Sequence, residues 1–397
     1  MGISRRQWLS GVGSLCTVGL VSGRAGATTR HRDHGSRDSG VETVASGLEV
    51  PWGVEFGPDG TLYFTERPGR VNRLRPDGSV DTLAEFPDTR AIGEGGLLGL
   101  ALSPAFPASR AMYLYQTYED DGIKNRIIRC HLEDGSLLRG DVIFDDIPGA
   151  STHDGGRLAF GPDGKLYVTC GDAQERTKAQ DPQTLHGAIL RLDPDGSVPA
   201  DNPFGTAVFS YGHRNPEGLA FHPETGELYS TEHGPDTDDE VNLIQQGHNY
   251  GWPEVTGPSD DPRFTDPLVS YTPTIAPASA EFYRGAFYFG NLAGKHLRCI
   301  TFADDHRTVR TDEALFADEF GRIRSVVARA ASLYFTTSNR DSRGSPASDD
   351  DRILRWTPRA CRCNEGKRSW RPPVRRDTDG GRPFPDDTLT RSPLSER

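Results

Sequence analysis

The sequence repeats one two-part phrase six times, and this repeat limits the possible folds more than any other feature. The first part is an apolar run, a turn and a second run of the form Leu-Tyr-x-Thr. In the copy at 218–232, apolar residues alternate with small or polar ones around a Pro-Glu-Thr-Gly turn, which predicts a hairpin of two half-buried strands. The six copies span residues 52–66, 98–118, 156–172, 218–232, 281–291 and 324–338.

The second part of the phrase is a further strand, in most copies with Arg on its polar face. Its six copies span residues 69–79, 125–136, 187–197, 239–249, 295–305 and 351–358. Units of three or four strands, recurring every roughly 45–60 residues, bury their faces against neighbouring units. Loops of variable length between the units favour an all-β, six-bladed β-propeller over a solenoid.

The regions outside the repeats divide the chain into four predicted segments. Residues 1–27 combine Arg5-Arg6, an apolar run and small residues at 25–27, which is typical of a twin-arginine signal peptide. We therefore predict export, to the cell surface, the periplasm or the medium. No stretch has the length and apolarity of a transmembrane helix. The other predicted segments are a linker at 28–45, the propeller at 46–358 and a disordered tail at 359–397.

The charge balance is strongly acidic. The chain has 45 Lys and Arg against 57 Asp and Glu, for a net charge of −12, and only 5 of the basic residues are Lys. Residues 1–40 and residues 359–397 each carry a net charge of +4, so residues 41–358 carry about −20. Nucleic acids and anionic membranes need a basic face, so this composition argues against both as partners. The composition resembles that of proteins from salt-loving microbes.

A candidate base stands at the entrance of the third repeat. His153 precedes Gly155 and Gly156, and the same hairpin ends at Asp172. Because a hairpin brings its two ends together, Asp172 can hold one imidazole nitrogen and leave the other free as a base. The alternative is that His153 is structural and Asp172 caps a turn.

The fourth repeat has unusual residues at both ends. Arg214 and Asn215 precede its hairpin and offer planar donors for carbonyl or carboxylate oxygens. Gly234 and Pro235 follow it, and a sharp turn there can expose backbone carbonyls to a hard cation. The acidic residues at 236–240 form either part of that site or a solvated loop.

Two other loops carry candidate ligand-binding residues. Arg322 and Arg324 lie two apart on one strand face, where an anion would relieve their repulsion, although a polar outer strand is the alternative. The glycine-rich stretch at 93–99 is not followed by a helix, so it does not indicate a dinucleotide site. Close backbone packing explains its glycines, with Glu94 facing a ligand.

Together these loops favour a polyanionic, carbonyl-rich ligand that binds with a divalent cation beside a histidine base. Over residues 46–358 the sequence resembles the soluble glucose and aldose sugar dehydrogenases that depend on pyrroloquinoline quinone (PQQ), whose fold is a six-bladed propeller. The resemblance rests on motifs in family order: GEGGLLGLA, HDGGRLAFGPDGKLY, LHGAILRLDPDGSVPADNPF, YGHRNPEGLAF, EHGP, DDEVNLI, GHNYGWP, GRIRS and DDDRILR.

The resemblance implies a role for each matching residue. The catalytic base falls on His153 and the carboxylate that orients it on Asp172. The residues that contact PQQ fall on Arg214, Asn215, Arg322 and Arg324. Main-chain oxygens of Gly234 and Pro235 would hold the calcium ion that clamps the cofactor. In some relatives further calcium lies in an acidic site, and its ligands fall on Asp239, Glu240 and Tyr250.

Three positions depart from the family pattern. Glu94 stands where some relatives have a Gln beside the cofactor. Ala293 stands where they have a cofactor-binding Lys, with Lys295 as a substitute two residues later. The loop after Asp172 also diverges, and this loop bears on the choice of substrate.

The predicted activity is oxidation of a cyclic aldose at its anomeric hydroxyl to a lactone, with electrons passing to an external acceptor. PQQ and Ca²⁺ are the expected cofactors. The alternative is a calcium-dependent lactonase or a carbohydrate-binding propeller. Such a protein would use the acidic cluster but would not need Arg322 and Arg324 against a flat anionic cofactor.

Overall fold

A computed structural model of the chain describes residues 40–106 and 108–358. The predicted signal peptide and C-terminal tail lie outside the described residues. Within them the chain forms strands and one 3-10 turn, Arg176–Gln180, and the strands make six antiparallel sheets. The six-bladed β-propeller predicted from the repeats is therefore confirmed, with one sheet for each repeat.

The strands follow one another blade by blade. The first strand is β1 (Val41–Ala45). Blade one contains β2 (Pro51–Phe56), β3 (Leu62–Glu66), β4 (Arg70–Leu74) and β5 (Val80–Glu85). Blade two contains β6 (Leu97–Leu102), β7 (Ala111–Glu119), β8 (Ile123–Glu133), β9 (Ser136–Leu138) and β10 (Val142–Pro148). Blade three contains β11 (Leu158–Phe160), β12 (Leu166–Cys170), β13 (Ala188–Leu192) and β14 (Val208–Tyr211).

The remaining blades have the same order. Blade four contains β15 (Pro216–Phe221), β16 (Leu228–Glu232), β17 (Asp239–Ile244) and β18 (Val269–Tyr271). Blade five contains β19 (Pro277–Tyr283), β20 (Ala286–Asn291), β21 (His296–Phe302) and β22 (Val309–Leu315). Blade six contains β23 (Ile323–Arg329), β24 (Ser332–Thr337) and β25 (Ile353–Trp356), and β1 is its fourth strand.

The ring is closed by strands from its two ends. The first strands of the blades contact one another in sequence, and β23 of blade six contacts β2 of blade one. β1 pairs antiparallel with β25, with Val41 opposite Trp356. The linker predicted at 28–45 is therefore wrong at its C-terminal end, because residues 41–45 complete a blade. Residues 41–45 form a strand because they hydrogen-bond to β25, and their composition does not reveal this.

The middle strands are more deeply buried than the alternating pattern predicts. Every residue of β3, β12 and β16 is buried, although the hairpins were expected to be half-buried. The cause is the stacking of blades, which covers both faces of each sheet. Tyr113 of blade two, for example, packs edge-on against Phe160 of blade three, with ring centroids 5.1 Å apart.

The antiparallel pairing decides where the candidate residues lie. Within a blade, the start of the first strand lies beside the end of the second, as Pro216 pairs with Glu232 and Ile323 with Thr337. Loops that enter first strands and loops that leave second strands therefore share one face of the propeller. All of the predicted site residues except Glu240 and Tyr250 lie in or beside such loops.

Candidate active site

His153 and Asp172 meet as predicted. His153 Nδ1 lies 2.7 Å from Asp172 Oδ1, and the imidazole keeps 17% of its surface exposed while the carboxylate is buried. Burial tends to raise the pKa of Asp172, but hydrogen bonds from His153, the Gln174 amide and the Trp252 indole lower it below its usual value. An ionised carboxylate only accepts hydrogen bonds, so Nδ1 carries the proton and Nε2 is free to act as a base.

Glu94 supports the backbone of His153. Its Oε2 accepts the His153 N–H at 2.7 Å, and its Oε1 forms an ion pair with Arg343 at 2.6 Å. Burial tends to raise the pKa of Glu94, and the bonds from His153 and Arg343 lower it below its usual value. His153 has a φ of +65°, a left-handed conformation that is unfavourable for residues with a side chain. Glu94 therefore helps to hold the candidate base in a conformation that it would not adopt alone.

Arg214 has several acidic neighbours and one unpaired side-chain nitrogen. Its backbone N–H donates to Glu232, and its Nη1 donates to the His233 carbonyl at 3.2 Å. Burial lowers its pKa, with nearby carboxylates such as Asp172 acting in the opposite direction. Arg214 Nε is buried and has no hydrogen-bond partner among the described residues. A buried donor without a partner fits a site that receives an oxygen-rich ligand.

Asn215 is placed differently from Arg214. Its side chain is fully buried, and Oδ1 accepts the Gly155 N–H at 3.0 Å. Asn215 therefore connects the loop that precedes β15 to the loop that carries His153. In this geometry its amide oxygen positions the backbone near His153.

Arg322 and Arg324 lie together, and the protein itself supplies the anion between them. Asp341 Oδ2 is 2.8 Å from Arg322 Nη2 and 3.5 Å from Arg324 Nη2. Arg324 Nη1 also pairs with Glu217 Oε2 at 3.2 Å. The anion expected to relieve their repulsion is therefore supplied, at least in part, by the Asp341 carboxylate. The alternative of a polar outer strand is excluded, because β23 is the innermost strand of its blade and both side chains are buried.

Sequence reasoning missed Asp341 and Glu217, although each had a signal. Asp341 follows the Leu-Tyr-x-Thr strand of the sixth repeat, as Asp172 follows that of the third. Glu217 lies near the start of an innermost strand, beside the Arg214-Asn215 pair. Burial tends to raise the pKa of Asp341, but Arg324 and Arg322 lower it below its usual value. It is therefore a fixed anion in a cluster of cations.

The backbone around Gly234 and Pro235 fits a hard cation. Within residues 40–106 and 108–358, neither carbonyl accepts a hydrogen bond. The Gly234 N–H donates to Asp239 Oδ1 at 2.8 Å, and Asp239 Oδ2 accepts Thr274 Oγ1 and the amides of Ile275 and Ala276 at 2.6–2.7 Å. The Asp239 carboxylate is saturated by these donors. Asp239 thereby shapes the Gly234 turn, and its role as a metal ligand stays a prediction.

Glu240 and Tyr250 are also engaged within the protein. Glu240 accepts the Gly257 amide at 2.9 Å and the Asn242 side chain at 3.0 Å, and the Tyr250 hydroxyl donates to the Leu243 carbonyl at 2.6 Å. Burial and the nearby Glu232 raise the pKa of Glu240 to about 8. The described residues contain no cluster of three or more acidic, His or Cys side chains arranged to hold a metal. Binding of further calcium at Asp239, Glu240 and Tyr250 stays a prediction.

Lys295 lies on the same face but is not joined to the arginine cluster. It sits exposed in the turn between β20 and β21, and its carbonyl accepts the Asp318 amide at 2.9 Å. Ala293 is also exposed in this turn, while the carbonyl of its neighbour Leu292 accepts a hydrogen bond from Arg322 at 3.1 Å. The turn therefore borders the cluster through its backbone.

The fold and this face define a class of protein: a six-bladed β-propeller with a hydrogen-bonded histidine–aspartate pair and buried arginines on one face. A family model described as Glucose / Sorbosone dehydrogenase matches residues 48–346, so the chain belongs to that family. The resemblance predicted from the sequence is confirmed. Among the described residues no helix is both long and apolar enough to cross a membrane.

Three similar proteins illustrate the family. Quinoprotein glucose dehydrogenase B of Acinetobacter calcoaceticus is 37% identical over 256 residues, which cover 55% of this chain and 53% of that protein. Aldose sugar dehydrogenase YliI of Escherichia coli (strain K12) is 36% identical over 54% of this chain and 62% of its own length. The PQQ-bound aldose sugar dehydrogenase of Streptomyces coelicolor is 37% identical with a TM-score of 0.76, over 79% of this chain and 97% of that one.

Proposed function

We propose that this protein oxidises aldose sugars at the anomeric carbon to lactones, with PQQ and calcium as cofactors. The observation that carries the proposal is the His153–Asp172 pair, with its free Nε2 on the same face as Arg214 and the arginines at the entrance of β23. The names of relatives support it, since one is a quinoprotein and another was solved with PQQ bound.

The residues of this chain have defined tasks in that reaction. His153 Nε2 takes the proton of the anomeric hydroxyl, and Asp172 stabilises the imidazolium that forms. The chemistry that PQQ supplies when bound is an electrophilic quinone that accepts the hydride from the anomeric carbon. Loss of one proton and one hydride converts the cyclic sugar to its lactone, and the two electrons pass on to an external acceptor.

The groups that would hold the cofactor come from four blades and the loops between them. Arg214 would donate through its unpaired Nε, and the Arg322–Asp341–Arg324 cluster would supply a rigid cationic border. Glu94 and Lys295 lie on the same rim, while Asn215 would act through the His153 loop. The free carbonyls of Gly234 and Pro235 would hold Ca²⁺, for which backbone oxygens are suitable ligands.

The test is reconstitution of purified protein with PQQ and Ca²⁺. We expect a dye to be reduced on addition of an aldose, and direct calorimetry to detect PQQ binding that weakens when Ca²⁺ is chelated. The matched control is the same protein with Ca²⁺ but without PQQ. Lactone hydrolysis in that control, with no sugar-dependent dye reduction in the complete mixture, would support the lactonase alternative.

We also propose export by the twin-arginine route, on the pattern around Arg5 and Arg6. These residues lie outside the described part of the chain. Replacing both with Lys should leave the protein inside the cells of a host that has this pathway, while the native leader carries it out. Equal export of both forms would contradict the proposal.

A further inference from the structure

Trp252 joins the two halves of the candidate site. It lies in the loop between β17 and β18, far in sequence from the His153 repeat. Its indole Nε1 donates to Asp172 Oδ2 at 2.9 Å. The guanidinium carbon of Arg214 lies 5.4 Å from the centroid of the same indole ring. One side chain thus contacts both the carboxylate behind the candidate base and the arginine expected to face the cofactor.

We propose that Trp252 is a positioning residue that orients Asp172 for His153 and supports Arg214 for the cofactor. This inference rests on the proposed function and extends it to a residue with no assigned role. The two contacts act through different parts of the indole. The N–H serves Asp172, and the ring face serves Arg214, so the two tasks can be separated by substitution.

The backbone of Trp252 is anchored by hydrogen bonds at both its N–H and its carbonyl. The Trp252 backbone N–H donates to the Gly212 carbonyl at 2.9 Å, and its carbonyl accepts Gln180 Nε2 at 2.7 Å. Gln180 also exchanges two hydrogen bonds with the Asn249 side chain, at 2.8 and 3.1 Å. The Trp252 backbone is therefore tied to both loops that border the His153 site.

The contact with Asp172 completes the bonding of its carboxylate. Oδ1 accepts His153 Nδ1 and the Gln174 amide, and the indole N–H is the partner of Oδ2. Donors on both oxygens fix the rotation of the carboxylate, so that Oδ1 stays directed at the imidazole. Hydrogen bonds to an ionised group are stronger than neutral ones, so removing this one allows the carboxylate to rotate.

The contact with Arg214 compensates for missing hydrogen-bond acceptors. The guanidinium has one hydrogen bond to the His233 carbonyl, and its Nε is unpartnered among the described residues. A cation within about 6 Å of an indole centroid is attracted to the ring face. The ring therefore keeps the guanidinium in place while Nε remains available to a ligand.

Two substitutions at Trp252 separate these tasks. Trp252→Phe keeps an aromatic face and removes the N–H, so we expect about a tenfold lower kcat with PQQ affinity within about twofold of the wild type. Trp252→Leu removes both, so PQQ affinity by calorimetry should fall as well, by about tenfold. Trp356→Phe, on the outer side of blade six, is the control and should change neither value.

A purely structural role predicts a different outcome. If Trp252→Phe leaves kcat unchanged, the Asp172 half of the proposal is wrong. If Trp252→Leu binds PQQ as the wild type does, the Arg214 half is wrong. Thermal melting shows whether Trp252→Leu folds, and if it does not, the Phe variant and the measurement below decide the matter.

The indole N–H can be followed without any activity. In protein labelled with ¹⁵N-tryptophan, Trp252→Phe identifies the Trp252 indole resonance by its loss. Asp172→Asn must keep an oxygen toward His153 and so turns its amide N–H₂ toward the indole. We expect the Trp252 resonance to move and that of Trp356 to stay. An unmoved Trp252 resonance overturns the proposal, whereas failure of the wild type to oxidise sugars with PQQ overturns only the proposed function.

Discussion

At the scale of single residues, the site depends on groups held in conformations that they would not adopt alone. His153 has a left-handed backbone, and hydrogen bonds from its N–H to Glu94 and from the Ala173 amide to its carbonyl hold it there. Asp172 is ionised although it is buried, because its donors outweigh the cost of burial. The imidazole is therefore presented with a fixed tautomer at a fixed place.

Removal of the imidazole should affect the chemistry more than cofactor binding. We expect His153→Ala to bind PQQ as the wild type does and to lose at least about 100-fold in kcat, the usual contribution of a general base. Stopped-flow dye reduction gives kcat, and calorimetry gives the affinity. Unchanged turnover in this variant would remove His153 from the mechanism.

The neighbouring Asp154 should make stability depend on pH. Burial raises its pKa to about 7, and its Oδ2 is buried without a partner in the described structure. A carboxyl whose pKa is higher in the folded state than in the unfolded state stabilises fully below the unfolded value, near 4. That contribution is lost as the pH rises through about 7.

Asp154→Asn removes this titration. Between pH 5 and 8.5 the melting temperature of the wild type should fall more than that of the variant, because the variant has no carboxyl to ionise. Differential scanning calorimetry at both pH values measures the difference. If the melting temperatures of the two proteins changed with pH in parallel, ionisation of Asp154 would not destabilise the folded state.

At the scale of elements, the entrance of β23 has two buried guanidiniums, one from Arg322 just before the strand and one from Arg324 within it. They remain together because Asp341 lies between them. Breaking a buried ion pair on one side leaves uncompensated charge and costs about 3–5 kcal/mol. We therefore expect Asp341→Asn to lower the free energy of unfolding by about 3 kcal/mol in urea titrations.

The matched control is an ion pair on the outer strands of blade five. Asp312 pairs with Arg298 at 2.6 Å, and both side chains are partly exposed. Solvent screens such a pair, so Asp312→Asn should cost less than about 1 kcal/mol. An equal loss of unfolding free energy in the two variants would mean that the buried arginines need the Asp341 charge no more than Arg298 needs that of Asp312.

At the scale of the whole molecule, stability depends on ring closure through β1. This strand pairs with β25 and covers the edge of blade six. A chain that begins at residue 46 would expose that edge, so it should melt at a lower temperature and aggregate more readily than one that begins at residue 40. Circular dichroism and light scattering compare the two, and identical melting would contradict closure by β1.

The fold and the His153–Asp172 pair were predictable from the sequence because both follow from local pairing. A repeat with an apolar strand, a turn and a second strand folds into one hairpin, and six copies define six blades. A hairpin also brings its ends together, which places Asp172 beside His153 wherever the blade lies. Arg322, Arg324 and the Gly234 turn were found for a different reason, because they depart from the residues of the repeat.

Contacts between blades were decided by the tertiary structure alone. Glu217 opposite Arg324 and Trp252 behind Asp172 join segments that lie about 80 to 110 residues apart. The engagement of Asp239 by the loop before β19 likewise cannot be inferred from its acidic surroundings. Local sequence determines which strands pair within a blade, whereas ring closure and blade stacking determine which side chains meet between blades.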